Sequence, residues 1–95
     1  MGPRYVRLLE EIDRHGSIRG ACAQVGLSYR TCLNRVRHME RVLGHPVIHT
    51  TRGGATGGGS EITDEARDLI RLYRAWRLEL ERSSDRLFRR LRRSG

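Results

Sequence analysis

The sequence predicts a mainly α fold with one small β-hairpin. Three observations lead there. Apolar residues recur at helical spacing in four segments, each flanked by capping residues. A short β-branched run, residues 46–51, is followed by a glycine-dense stretch, 53–59, and a brief return at Glu61-Ile62. The second and third helical segments are separated only by Gly26-Leu27-Ser28. Two helices joined by a three-residue, glycine-containing turn make a helix-turn-helix, and a hairpin behind the second of them is a wing. The expected architecture is a winged helix-turn-helix with a long C-terminal dimerisation helix. Residues 1–62 form the winged unit in this reading, 63–85 the long helix and 86–95 a basic tail.

The first helix is expected from Tyr5 to Arg14, with Tyr5, Val6, Leu8, Leu9 and Ile12 at helical spacing and Gly16 free to end it in the left-handed region. Ser17 stands where an N-cap belongs. Ile18, Ala21, Cys22 and Val25 then fall on one face of a second helix that Gly26 ends. Ser28 caps a third, with Cys32, Leu33, Val36, Met39 and Leu43 inward and Gly44 and Pro46 as stops. Residues 53–59 hold five glycines and cannot form a regular element at tolerable entropic cost. The last three of them, Gly57-Gly58-Gly59, are expected to accept alanine with little loss of stability. Thr63 caps the fourth helix, and Asp64 and Glu65 complement its dipole. Ile62, Ala66, Leu69, Tyr73, Trp76, Leu80, Ser83 and Leu87 then follow alternating steps of four and three, a heptad-like stripe. Ser83-Ser84-Asp85 is the expected interruption, with Ser84 recapping a final amphipathic turn.

The chain has 95 residues and a net charge of +8. All 19 basic residues are arginine. They are unevenly placed. Residues 16–60 contain Arg19, Arg30, Arg35, Arg37, Arg41 and Arg52 against a single acid, Glu40. Residues 86–95 contain five arginines and no acid, whereas acids outnumber arginines over 61–85. A basic middle of this kind points to a polyanion, nucleic acid before membrane. No apolar run approaches the ~20 residues of a membrane span. The N-terminal stretch carries acids through its apolar residues and lacks a small-residue cleavage site, so no signal peptide is expected. Two cysteines without CxxC spacing do not make a disulfide scaffold, and a reducing cytoplasm is the expected compartment.

In a helix-turn-helix the second helix enters the major groove of double-stranded DNA and its N-terminal residues meet base edges. Here these are Ser28, Tyr29, Arg30 and Thr31, with Asn34 and Arg35 one turn on. Arginine pairs bidentately with guanine and asparagine with adenine, and threonine touches the thymine methyl. Ser17 and Arg19 at the start of the second helix, and Arg52, Gly53, Gly54 and Thr56 in the wing, complete the candidate DNA-binding set. The glycine-rich loop is not a nucleotide cradle: a P-loop needs lysine after its last glycine, and the chain has none. Cys22 and Cys32 lack paired zinc-ligand spacing and are expected as buried core thiols. No metal, no cofactor and no enzymatic activity are expected. The competing reading is a basic dimeric architectural or protein-docking module without strong sequence specificity. For the homodimer, the expected interface is Leu69, Tyr73, Trp76 and Leu80 on the last helix, with Leu8 and Ile12 of the first helix beside them.

Gly16-Ser17-Ile18, the Gly26-Leu27-Ser28-Tyr29 turn, the paired glycine clusters of the wing, Ile62-Thr63 and Leu69-Ile70-Arg71-Leu72-Tyr73 together resemble the N-terminal domain of ModE-type regulators, which belong with the LysR-type winged helix-turn-helix proteins. The resemblance covers about residues 6–75. It implies a transcriptional regulator that binds DNA as a dimer through its first and last helices. Departures are Arg19 for a small polar residue, Leu33 for a tryptophan, Ala55 for a basic residue and Ala66 for a glycine. Molybdate sensing in that family belongs to a separate C-terminal β-rich domain. This sequence ends at residue 95, so no molybdate site is expected in it.

Overall fold

A computed structural model describes residues 2–51 and 59–94. The elements run α1 (Pro3–His15), α2 (Ile18–Val25), α3 (Tyr29–Leu43), β1 (Ile48–Thr51), β2 (Gly59–Ile62) and α4 (Asp64–Ser94). This is the winged helix-turn-helix with a long final helix. The caps fall where the residue types place them. Ser17 Oγ accepts from the Gly20 N–H at 3.0 Å, Ser28 Oγ from the Thr31 N–H at 3.2 Å, and Thr63 Oγ1 from the Ala66 N–H at 3.2 Å. Gly16, Gly26 and Gly44 end the first three helices at φ of 71°, 72° and 76°, a region that L side chains rarely adopt.

α1 lies at the centre and packs against α2, α3, β2 and α4. Its Val6, Leu8, Leu9 and Ile12 form one core with Ile18, Ala21, Cys22, Cys32, Val36, Met39, Val47, Ile62, Ala66 and Ile70. Leu8 and Ile12, expected at a subunit interface, are therefore fully enclosed within their own protomer. The buried series along the last helix is also displaced from the expected stripe. Ala66 and Ile70 are buried, while Leu69 and Tyr73 are half-covered at the core's edge. Ala66 and Ile70, four apart, lie on the row of α4 that is turned toward the core.

α4 continues unbroken through Ser83-Ser84-Asp85, so the expected interruption is absent and the basic segment beyond it is helical to Ser94. Serine and aspartate have modest helix propensity but do not break a helix as proline does. Here the Arg86 guanidinium also donates to Ser83 Oγ at 3.1 Å and to Glu79 Oε1 at 3.4 Å, tying neighbouring turns together. At ~1.5 Å per residue this helix accounts for most of the molecule's 63 Å long axis.

The hairpin is antiparallel, with Ile48 opposite Ile62, His49 opposite Glu61, Thr50 opposite Ser60 and Thr51 opposite Gly59. β1 is shorter than the β-branched run because Pro46 and Val47 bond elsewhere. The Thr63 hydroxyl donates to the Pro46 carbonyl at 2.9 Å, and the Thr63 N–H donates to the Val47 carbonyl at 2.9 Å. The Val47 N–H donates to Glu40 Oε2 at 3.0 Å. At the other end of the hairpin, the Ser60 N–H donates to the Gly16 carbonyl at 2.8 Å. A Cβ at Gly59 would lie 2.5 Å from that same oxygen and 3.1 Å from Thr51 Oγ1. Gly59 is thus a structural contact with the α1–α2 turn and does not accept alanine freely, contrary to expectation. Gly57 and Gly58 lie outside the described residues.

Candidate nucleic-acid interface

The helix-turn-helix presents its residues in three settings. Ser17 and Ser28 are caps, and Ser28 Oγ also donates to Thr31 Oγ1 at 2.9 Å, so both hydroxyls are engaged at the start of α3. Arg30 and Asn34 are exposed on the outer face of α3, opposite the buried Cys32, Val36 and Met39. Arg37 and Arg41 are exposed too, and the spacing 30, 34, 37, 41 puts all four on one row. These two arginines lie one and two turns beyond the candidate residues at the start of α3. The row itself was legible as steps of four, three and four.

Arg35 takes another direction. It is half-buried, its Cζ 6.0 Å from the Tyr5 ring centroid, and it lines a cleft with Arg4, Arg7, Leu8, Val25 and Leu27. It therefore belongs to the α1 side of α3, away from the row of Arg30. Arg19 and Tyr29 meet across the two helix starts, with the Arg19 Cζ 4.9 Å from the Tyr29 ring centroid. Both line an open cleft of about 250 Å³ with Ser17, Ile18, Thr50, Gly59 and Ser60, where α2, α3 and the base of the hairpin converge. The wing residues Arg52, Gly53, Gly54 and Thr56 lie outside the described residues.

The arginines divide by partner. On α4, Arg67 pairs with Asp13 and Arg74 with Glu10 across to α1, while Arg71 pairs with Asp68 and Arg77 with Glu81 along the helix. None of the ion pairs among the described residues involves Arg19, Arg30, Arg35, Arg37 or Arg41. Among the described residues, then, the arginines of α2 and α3 are unpaired, whereas those of the first half of α4 are largely neutralised.

Both cysteines are buried and free. Burial, and then the neighbouring Cys22, push the Cys32 thiol above its ordinary pKa, with Arg35 opposing weakly. A thiol held protonated in this way is a poor nucleophile and metal ligand. Among the described residues no three of His, Cys, Asp or Glu gather as a metal cage, and no helix is long and apolar enough to cross a membrane.

The family model of bacterial regulatory helix-turn-helix proteins, lysR family, matches residues 3–67, from the start of α1 into the first turn of α4. The chain belongs to the LysR family. Its sequence is 38% identical over 86 residues to the molybdenum transport protein ModE of Azotobacter vinelandii, covering 90% of this chain and 32% of that protein. It is 34% identical over 86 residues to the transcriptional regulator ModE of Haemophilus influenzae, again covering 90% and 32%. With the molybdenum-pterin-binding protein MopB of Rhodobacter capsulatus it shares 41% over 75 residues, covering 79% of this chain and 28% of that one. The chain thus spans about a third of the length of the curated relatives it matches. The fold agrees with the DNA-binding domain of CbnR, solved as a DNA complex, at a TM-score of 0.68 and 20% identity over 90% of this chain and 93% of that one. It agrees likewise with full-length LysG of Corynebacterium glutamicum, at 0.66 and 22% over 96% of this chain and 30% of that one.

Proposed function

We propose that this chain is the DNA-binding part of a sequence-specific transcriptional regulator that acts on double-stranded DNA as a homodimer. The observation that carries the reading is the exposed row Arg30, Asn34, Arg37 and Arg41 on α3, whose arginines form no ion pair among the described residues. Arginine and asparagine are the side chains that pair bidentately with guanine and adenine in the major groove. Residues 28–43 enter that groove, and the glycine-rich segment 52–60, with Arg52, Gly53, Gly54 and Thr56, lies on the flanking groove or backbone. Ser17, Arg19, Ser28, Tyr29 and Thr31 flank the readers, and Arg35 serves from the side. Such a regulator works in the bacterial cytoplasm.

Homodimerisation is supported by α4. Trp76 is 56% exposed and Leu80 52%. Leu72, Leu87 and Leu91 are exposed along the same projecting helix. Trp76 packs on Tyr73 in a tilted pair, with ring centroids 5.6 Å apart and planes at 47°. Aromatic anchors of this type dominate interface energetics. Leu69 and Tyr73 continue the patch toward the core.

The test is binding to a duplex enriched by the protein from a randomised pool, measured against random duplex at physiological salt. A ratio of at least ~10³ is expected for a site-specific regulator. A flat ratio favours the architectural or docking reading, for which the exposed Leu87, Phe88 and Leu91 among the arginines of distal α4 are the supporting feature.

A further inference from the structure

Arg19 opens α2 and Tyr29 opens α3, and neither lies in the core. Ten residues apart in sequence, they meet, the Arg19 guanidinium carbon lying over the Tyr29 ring 4.9 Å from its centroid. A guanidinium stacks through its flat face and donates through its edge, so the two engagements do not compete. No acid among the described residues draws Arg19 from the ring. Tyr29 itself is 41% exposed at the first position of α3 and lines the cleft where α2, α3 and the hairpin converge. An exposed tyrosine has several rotamers to choose from, and fixing one of them costs entropy when it must meet a ligand. A stacked guanidinium bears that ordering before the ligand arrives.

We propose that Arg19 is a positioning and specificity-determining residue: stacked on Tyr29, it holds the ring across the gap between the two helices so that Tyr29 meets a base edge at the entry of α3 into the groove. The inference rests on the DNA-binding reading above. The stack converts two exposed side chains into one preorganised contact, and the sequence preference it confers belongs to the pair. Lysine keeps the charge at position 19 but offers no flat face to the ring, so charge and stacking are separable by one substitution.

The experiment uses the duplex enriched by the wild-type chain from a randomised pool, a random duplex, and the variants Arg19→Lys, Arg19→Ala, Tyr29→Ala and Arg19→Lys/Tyr29→Ala, each checked for native circular dichroism and melting. Arg19→Lys is expected to lose about three- to tenfold in affinity for the enriched duplex, nearly as much as Arg19→Ala, and less than about twofold for random duplex. In the Tyr29→Ala background the same lysine substitution is expected to change nothing further. In the free wild-type chain, the Arg19 side-chain protons are expected upfield by the ring current, and Tyr29→Ala should abolish the shift. Wild-type affinity in Arg19→Lys, or losses that simply add in the double variant, would overturn the proposal and leave DNA recognition standing. Failure of the wild-type chain to enrich any duplex would instead overturn the DNA-binding reading, and this proposal with it.

Discussion

Glu40 is the only acid between residues 16 and 60, and its charge opposes both a polyanionic ligand and the dipole at the C-terminal end of α3. Its Oε2 accepts the Val47 N–H at 3.0 Å, and Val47 is completely buried. Glu40→Ala leaves that N–H without a partner. A hydrogen bond to a charged acceptor contributes ~1.5–3 kcal/mol, and an orphaned buried donor costs ~1–3 kcal/mol. Relief of the unfavourable dipole interaction returns ~0.3–1 kcal/mol, leaving a net loss of ~1–2 kcal/mol. In a domain of this size that lowers the melting temperature by roughly 4–15 °C. Glu40→Gln keeps a carbonyl acceptor without the charge and should stay within ~0.5 kcal/mol of the parent. Urea denaturation followed by circular dichroism measures both. DNA affinity supplies a second readout of opposite sign to simple electrostatics. Removing a negative charge should tighten binding at low salt, whereas releasing Val47, which leads directly into β1, should weaken it by displacing the hairpin. The expectation is tighter binding for Glu40→Gln and weaker binding for Glu40→Ala. An alanine variant as stable as the parent, with tighter binding, would refute the role assigned to this bond.

Arg30→Ala should cost ~1–3 kcal/mol on an enriched site and much less on random duplex; equal losses would make it a phosphate contact only. Gly59→Ala should lose ~1–3 kcal/mol of stability through collision with the Gly16 carbonyl, and an unchanged denaturation midpoint would show that the hairpin moves aside. Trp76→Glu should keep its helical circular dichroism, because Trp76 is not part of the monomer core, and should sediment as a monomer, with the parent expected to sediment as a dimer; a dimeric variant places the interface elsewhere. Cys32, with its thiol pKa raised in the fold, contributes stability that is present below the unfolded thiol value of ~8.5 and is lost as pH rises through the folded value. Iodoacetamide at pH 8 should therefore spare Cys32 in the native chain and label it in urea. Labelling at equal rates in both would show that the thiol is not shielded.

Local signals carried the elements. Ser17, Ser28 and Thr63 cap helices because their hydroxyls accept from free N–H groups one turn on, and such bonds need no knowledge of the rest of the chain. Helical spacing likewise identified Leu8 and Ile12 as residues that must be covered. It could not say by what, since an apolar stripe reads the same whether its cover is the same chain or another. The ambiguity was resolved only by the position of α1 at the centre of the fold, where α2, α3, β2 and α4 pack around its apolar side and bury Leu8 and Ile12.

Gly59 exposes the same limit from the polar side. In sequence it is one of three adjacent glycines, all suited to a loop. What separates it is the carbonyl of Gly16, more than forty residues away in sequence, whose position depends on α1 ending in a left-handed turn. Arg35 and Arg37 differ in a comparable way. Both are arginines within the first three turns of α3, yet one leans over Tyr5 of α1 and the other joins Arg30, Asn34 and Arg41 on the outer row. Charge composition marks the segment that meets a polyanion, but the packing of α1 against α3 decides which of its arginines remain free to do so.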